Sequence, residues 1–189
     1  MTLDLTLEQP PDWMRFTSTR HVSWAEIETI AHSHSEAIAS EFDLLVAILR
    51  AGAPIAALIA RHTGLPVDYL VCNRRNPIPH FLDGLTRAPR GRRILLVDDV
   101  CGSGWTFERA RRYCEVLDNS VGCFSVFRCA GAGMYVPDYG LEMDASTYLR
   151  WPWEYQDESE MPGMTRLGNG EQSQGATQCR PDTELSFDL

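Results

Sequence analysis

The chain contains no lysine; all 17 of its basic residues are arginines. Any mechanism that depends on a lysine side chain is thereby excluded. Long apolar runs are missing too, none approaching the ~20 residues of a membrane-spanning helix. The opening MTLDLTLEQPPDW lacks the basic start of a secretory signal. A soluble, cytoplasmic protein with no membrane partner is expected. The six cysteines, at 72, 101, 114, 123, 129 and 179, form no CxxC pair and lie mostly in apolar runs. That is the pattern of buried thiols in a reducing compartment, not of disulfides or a zinc site.

Charge of one sign dominates only at the end of the chain. The formal net charge is −9 over 189 residues, but residues 157–189 hold seven acids against two arginines, leaving about −4 for the rest. A near-neutral body without a broad basic face argues against nucleic acid as a partner. An apolar content of 44% suits one well-buried domain. The expected organisation is an N-terminal extension over 1–19, a single domain over 20–156, and a polar, disordered tail over 157–189 containing GNGEQSQGATQ.

Within the domain, helical and extended segments alternate. Ser23 to Glu41 places Trp24, Ile27, Ile30, Ala31 and Ile38 near helical spacing, with Ser23 and Glu26 as a capping box. Leu44–Leu49 reads as a doubly covered strand, followed by the turn Arg50-Ala51-Gly52-Ala53 and a helix from Pro54 to Gly64. Val67–Cys72 is a second strand, and Asn73–Arg93 is too rich in proline and glycine for a helix. Ile94–Val97 and Val121–Arg128 read as further strands around a helix over Trp105–Leu117, with Arg109, Arg111 and Arg112 facing outward. This alternation predicts an α/β fold with a central parallel sheet flanked by helices. The aromatic stretch after Ala130, GAGMYVPDYG and then TYLRWPWEY, is expected to form a small hood over one sheet edge.

Chemistry concentrates in Ile94-Leu-Leu-Val-Asp98-Asp99-Val-Cys101-Gly102-Ser103-Gly104-Trp105-Thr106. A buried strand here delivers two carboxylates and a glycine turn to the carboxyl edge of the sheet, where open α/β folds bind ligands. The turn aims backbone N–H groups and the positive end of a helix at one point, with Ser103 and Thr106 adding hydroxyls, and a phosphate fits there. Adjacent carboxylates would repel that phosphate, so they suit sugar hydroxyls or a hydrated magnesium ion. An acid pair beside a phosphate turn implies a phosphorylated sugar. A second strand-to-helix turn, Arg50-Ala51-Gly52, offers N–H donors and a guanidinium fork.

These residues resemble the signature of the type I phosphoribosyltransferases, which bind phosphoribosyl pyrophosphate (PRPP). The resemblance covers residues 20–155 and implies the type I phosphoribosyltransferase fold. It implies that Asp98 and Asp99 contact the ribose hydroxyls and hold Mg2+. It places the 5-phosphate on Cys101, Gly102, Ser103, Gly104, Trp105 and Thr106, and the pyrophosphate on Arg50, Ala51 and Gly52. Six arginines between Arg74 and Arg93 sit where the family has its mobile lid, and Arg74 and Arg75 are the pair expected to act on the leaving group. The stretch from Pro137 to Glu154 is similar to the hood of the xanthine, guanine and hypoxanthine enzymes, which implies that Tyr148 stacks on the base and Leu149 lines it. Trp151 and Trp153 are expected in the core.

The resemblance implies transfer of the phosphoribosyl group from PRPP to a purine-like base, by a homodimer. The chain also departs from the pattern. Gly102 stands where 6-oxopurine enzymes carry an aspartate, and the lysine before the hood is absent. Glycine is no general base. Another group takes the proton, or the acceptor base differs, or the chain is a catalytically altered PRPP- or nucleotide-binding regulatory module.

Overall fold

A computed structural model describes residues 17–72, 78–84, 87–129 and 135–154. The chain divides after Glu154, and the unit Met1–Glu154 carries every described element. In order these are β1 (Ser18–His21), α1 (Trp24–Ser33), α2 (Ser35–Glu41), β2 (Leu44–Leu49), α3 (Gly52–Thr63), β3 (Val67–Val71), β4 (His80–Phe81), β5 (Arg93–Cys101), α4 (Trp105–Val116), β6 (Ser120–Cys129), β7 (Tyr139–Met143) and β8 (Thr147–Arg150).

Six strands form the main sheet in the order β4-β3-β2-β5-β6-β7, and β1 pairs with β8 in a second, two-stranded sheet. All pairings are parallel except β3 with β4. The central strands are apolar on both faces because helices cover both. Leu45, Ala47, Leu95 and Val97 pack in one core with α1–α3, while Leu44, Val46, Ile48, Ile94 and Leu96 pack in the other with Phe107, Ala110 and Cys114 of α4. The chain winds outward from β2 to β3, then returns to the other side of β2 for β5 and continues through β6. The switch point therefore lies between β2 and β5, and a crevice opens beyond the carboxyl ends of these two strands.

The helix and strand expectations hold with three differences. The helix expected from Ser23 to Glu41 is broken at His34 into α1 and α2. Ser33 and Ser35 there donate to the carbonyls of Ile30 and His32, competing with the backbone ladder. The irregular stretch before Arg93 contains β4, which adds Phe81 to the core. Arg109 does not face outward: it is 1% exposed, stacked on Trp105 with its guanidinium carbon 4.3 Å from the ring centre.

The capping reading at Ser23 is partly met, since its hydroxyl accepts from the Glu26 N–H while the Glu26 carboxylate pairs with Arg20. Gly64 ends α3 in the left-handed conformation. The described cysteines, at 72, 101, 114, 123 and 129, are buried and free. No helix of the described residues is long and apolar enough to cross a membrane.

Candidate active site

Two strand-to-helix turns meet at the switch point, one from Leu49 to Gly52 and the other from Asp98 to Trp105. Gly52, the first residue of α3, is buried against β5: a Cβ built on it would lie 2.1 Å from the Val97 carbonyl oxygen. Only glycine lets the β2–α3 turn close on the strand that carries the acid pair. Arg50 precedes this contact, exposed, with its carbonyl accepting from the Ala53 N–H at 3.2 Å. The Leu49–Arg50 peptide bond is cis.

Asp98 and Asp99 end the buried run of β5, both partly buried. The Asp99 N–H donates to Asp98 Oδ1 at 3.0 Å and the Val100 N–H donates to Asp99 Oδ1 at 2.7 Å. Each carboxylate thus has one oxygen held by the backbone. Burial, reinforced by the charge of Asp99, lifts Asp98 well above the ordinary carboxylate range, and burial pushes Asp99 up to about 6. A pair of hard oxygen ligands whose charge is poorly solvated is suited to a cation or a set of hydroxyl donors. Among the described residues no cluster of three or more metal-ligating side chains exists. Two carboxylates without a cage fit Mg2+, which keeps waters and borrows ligands from substrate phosphates.

Beyond the acids the chain wraps a cavity of about 190 Å3, lined wholly by consecutive residues from Val100 to Phe107. Gly104 caps α4 with φ of 79°, and a Cβ there would come 2.3 Å from the Tyr135 carbonyl oxygen. The first helical bond runs from Glu108 N–H to Gly104 O. The Thr106 and Phe107 N–H groups therefore lack helical acceptors and remain for an anion. Ser103 Oγ accepts from the Trp105 N–H at 3.4 Å, and the Cys72 thiol contacts the Thr106 carbonyl at 3.7 Å, tying the end of β3 to the loop. Burial pushes the Cys101 thiol up to about 12, so it is no nucleophile.

A second cavity, about 230 Å3, adjoins the first through Val100 and Gly102. Its walls include Cys129 and Met143 at the ends of β6 and β7, with Leu149 and Trp151 from the hood. Its polar groups are Asp99, Thr147, Tyr148 and Glu154. Tyr148 is 41% exposed on β8, whereas Leu149 and Trp151 are buried. Trp151 stacks on Trp153 at 5.0 Å, so Trp151 takes its expected core place and Trp153 covers it. A larger and more open cavity, about 420 Å3, lies among Phe42, Arg93, Gly122 and Tyr139 at the amino ends of β5 and β6. It is remote from the acid pair and on the sheet edge that open α/β folds do not use for ligands.

The structure brings together Arg50, Ala51 and Gly52, the acid pair, the Cys101 to Thr106 loop, Tyr148 and Leu149 along one sheet edge. Arg74 and Arg75 lie outside the described residues. The arginine-rich stretch does not act as one lid, because Arg93 pairs with Asp43 at 2.7 Å and the Arg92 N–H donates to Asn119, both at the amino edge of the sheet. Sequence reasoning missed two residues. Glu154, third in Pro-Trp-Glu, lines the hood cavity. Arg109, one turn after Trp105, is buried, and among the described residues its Nε and Nη1 have no hydrogen-bond partner. The i, i+4 spacing of Trp105 and Arg109 was the available signal for that contact.

A switch-point crevice with a glycine-tightened turn on each side defines an α/β ligand-binding protein of the open-sheet class. Residues 19–132 match the model of the phosphoribosyl transferase domain, and the chain belongs to that family. It is 28% identical over 121 residues to an orotate phosphoribosyltransferase of Sulfurisphaera tokodaii, a match covering 61% of this chain and 59% of that protein. Among solved structures, a purine phosphoribosyltransferase from Pyrococcus horikoshii superposes with a TM-score of 0.63 at 18% identity, over 75% of this chain and 97% of that one. A hypothetical protein from Neisseria gonorrhoeae with bound ppGpp gives 0.57 at 18%, over 76% and 93%. The Helicobacter pylori xanthine-guanine-hypoxanthine phosphoribosyltransferase gives 0.56 at 20%, over 72% and 93%. These structures share the fold.

Proposed function

We propose that the protein is an enzyme that transfers the phosphoribosyl group of PRPP to a purine-like base and releases pyrophosphate. The observation that carries this reading is the shared wall of the two cavities. Val100 and Gly102 line both, with Asp99 at the hood cavity, so a phosphate, a ribose and a base have adjoining places in the order a nucleotide requires. The purine phosphoribosyltransferases among its structural relatives support the choice of acceptor.

In this reading the N–H groups at the start of α4, with Ser103 and Thr106, hold the 5-phosphate. The turn Arg50 to Gly52 holds the pyrophosphate, with Arg74 and Arg75 closing over it. Asp98 and Asp99 accept hydrogen bonds from the ribose hydroxyls and would hold Mg2+ through their remaining oxygens. Bound there, the ion supplies positive charge to the departing pyrophosphate. The bond from C1 of the ribose to the pyrophosphate oxygen breaks with its electron pair leaving on that oxygen. A ring nitrogen donates its lone pair to form the new C1–N bond, and the proton on the ring is lost to a basic group or water. Positive charge develops on the ribose in between, and the two carboxylates are placed to stabilise it. Tyr148 stacks on the base. The domain carrying this chemistry spans 20–156, and the assembly is a cytoplasmic homodimer.

The test is pyrophosphate release from PRPP and Mg2+ with a panel of bases, using Asp98→Asn/Asp99→Asn as control. Release with a base, abolished in the control, upholds the reading. PRPP binding without release from any base would favour the second reading, a regulatory binding module, which Gly102 supports by supplying no proton acceptor. Absence of PRPP binding would overturn both.

A further inference from the structure

Glu154 lines the hood cavity from an exposed position and has no part in the functions assigned above. Its Oε2 accepts from the Trp151 N–H at 3.1 Å, and its own N–H donates to the Trp151 carbonyl at 3.1 Å. The carboxylate is thereby fixed by a tight turn around Trp151 and set against the cavity that Asp99 enters from β5. The remaining wall is mostly apolar, from Val100, Cys129, Met143, Leu149 and Trp151. A volume of about 230 Å3 is below the ~300–1,000 Å3 typical of larger ligands and suits one small heterocycle.

We infer that this cavity selects an uncharged heterocycle that presents N–H groups to Glu154, that it rejects acceptors bearing a carboxylate, and that Glu154 is the specificity-determining residue. The inference rests on the phosphoribosyl-transfer reading. An ionised carboxylate only accepts hydrogen bonds, so the matching edge of the ligand is one of ring or amino N–H donors. An anionic acceptor such as orotate would bring a third negative charge beside Asp99 and Glu154; Glu154 is exposed, so the repulsion is least screened at the half-buried Asp99, against the apolar walls. Among the described residues no lysine or arginine lines the cavity to neutralise it. Gly102, with no side chain between the two cavities, leaves the edge of the base free to reach Glu154. The sequence relative is named for orotate; the lining of this cavity directs the present chain to a different acceptor.

The experiment compares adenine, hypoxanthine, guanine and orotate as acceptors with saturating PRPP and Mg2+, reading pyrophosphate release, in the wild type and in Glu154→Gln. PRPP affinity is measured on both proteins by calorimetry. At least one of the three uncharged purines is expected to react at least a hundredfold faster than orotate. Glu154→Gln is expected to raise KM for that purine about tenfold, to leave PRPP affinity within about twofold, and to narrow the preference over orotate, because the charge that repels orotate is gone. Orotate reacting as well as the best purine in the wild type would overturn the inference while leaving phosphoribosyl transfer standing, as would a Glu154→Gln protein with unaltered KM and preference. Loss of PRPP binding in the wild type would instead remove the transfer reading, and the inference with it.

Discussion

Gly52 and the Val97 carbonyl are in such close approach that any side chain at position 52 would occupy the space of the oxygen. The obstacle is backbone on both sides, at the point where the β2–α3 turn is held against the strand carrying Asp98 and Asp99. Gly52→Ala is expected to destabilise the protein by ~1–3 kcal/mol as an overpacked core position, lowering the thermal midpoint by roughly 2–4 °C per kcal/mol for a chain of this size. PRPP affinity should fall with it, because the two turns are pushed apart. Differential scanning calorimetry and PRPP titration check both.

The acid pair sets an expected pH dependence. Burial raises both carboxyls, Asp99 to about 6, so the folded protein retains protons that the unfolded chain releases near ~3.9. The contribution of Asp99 to stability is therefore greatest below the unfolded value and is lost as pH rises through about 6, and that of Asp98 is lost as pH rises through its own raised value. On the proposed function magnesium and PRPP bind the ionised pair, so their binding should strengthen over the same interval. Urea unfolding and PRPP titration from about pH 4.5 to about pH 7.5 should show opposite slopes, and Asp99→Asn should flatten both.

Arg109 is a buried cation whose Nε and Nη1 are unpaired among the described residues, partly offset by the face of Trp105. A buried charge without a counter-ion is unfavourable, and burial correspondingly lowers its pKa. Arg109→Met, similar in shape and apolar, is expected to raise the thermal midpoint of the free protein by a few degrees, from about 1 kcal/mol of relief. On the proposed function the stabilisation gained on adding PRPP should shrink, because a positive charge stacked on Trp105 of the Cys101 to Thr106 turn has been removed. A midpoint that falls in the free protein would show that the stacking on Trp105 outweighs the burial cost.

Tyr148 is exposed on β8 at the mouth of the hood cavity. If it stacks on the base, Tyr148→Phe should retain the KM for the base within about twofold, while Tyr148→Ala should weaken it by ~0.5–1.5 kcal/mol beyond lost area. Equal losses in both variants would assign the effect to the hydroxyl. Steady-state kinetics with the preferred base separate the cases.

The central elements were legible because both of their faces are buried. Leu44–Leu49 and Ile94–Val97 are continuous apolar runs, and in a parallel sheet between two helical layers such a run has one interpretation. The strands at the margins were not legible. All four residues of β1 are exposed, β4 has two residues, and β7 alternates poorly, so none carries a periodic signal strong enough to separate it from a turn. Their pairing depends on partners far along the chain, such as Thr19 with Tyr148.

The site divides in the same way. Asp98, Asp99 and the turn from Cys101 to Thr106 could be read directly, because strand, acids and glycines are contiguous and one turn of chain performs one task. Glu154 could not be given its place from Pro-Trp-Glu alone. Its place in the cavity that Asp99 also lines is set by the folding of the hood back over the ends of β5 and β6, which brings together residues 55 positions apart. Arg109 read as one more outward arginine of α4, whereas the fold buries it and stacks it on Trp105.

The amino-acid sequence by itself determined the central strands and helices, the glycine turn after β5 and the acid pair, because local spacing and backbone geometry suffice for each. Tertiary structure alone decided which turns face one another, which arginines lie at the opposite edge of the sheet, and what chemistry lines the acceptor cavity. Those are properties of surfaces assembled from distant segments, and their charge and shape exist only once the sheet has brought the segments together.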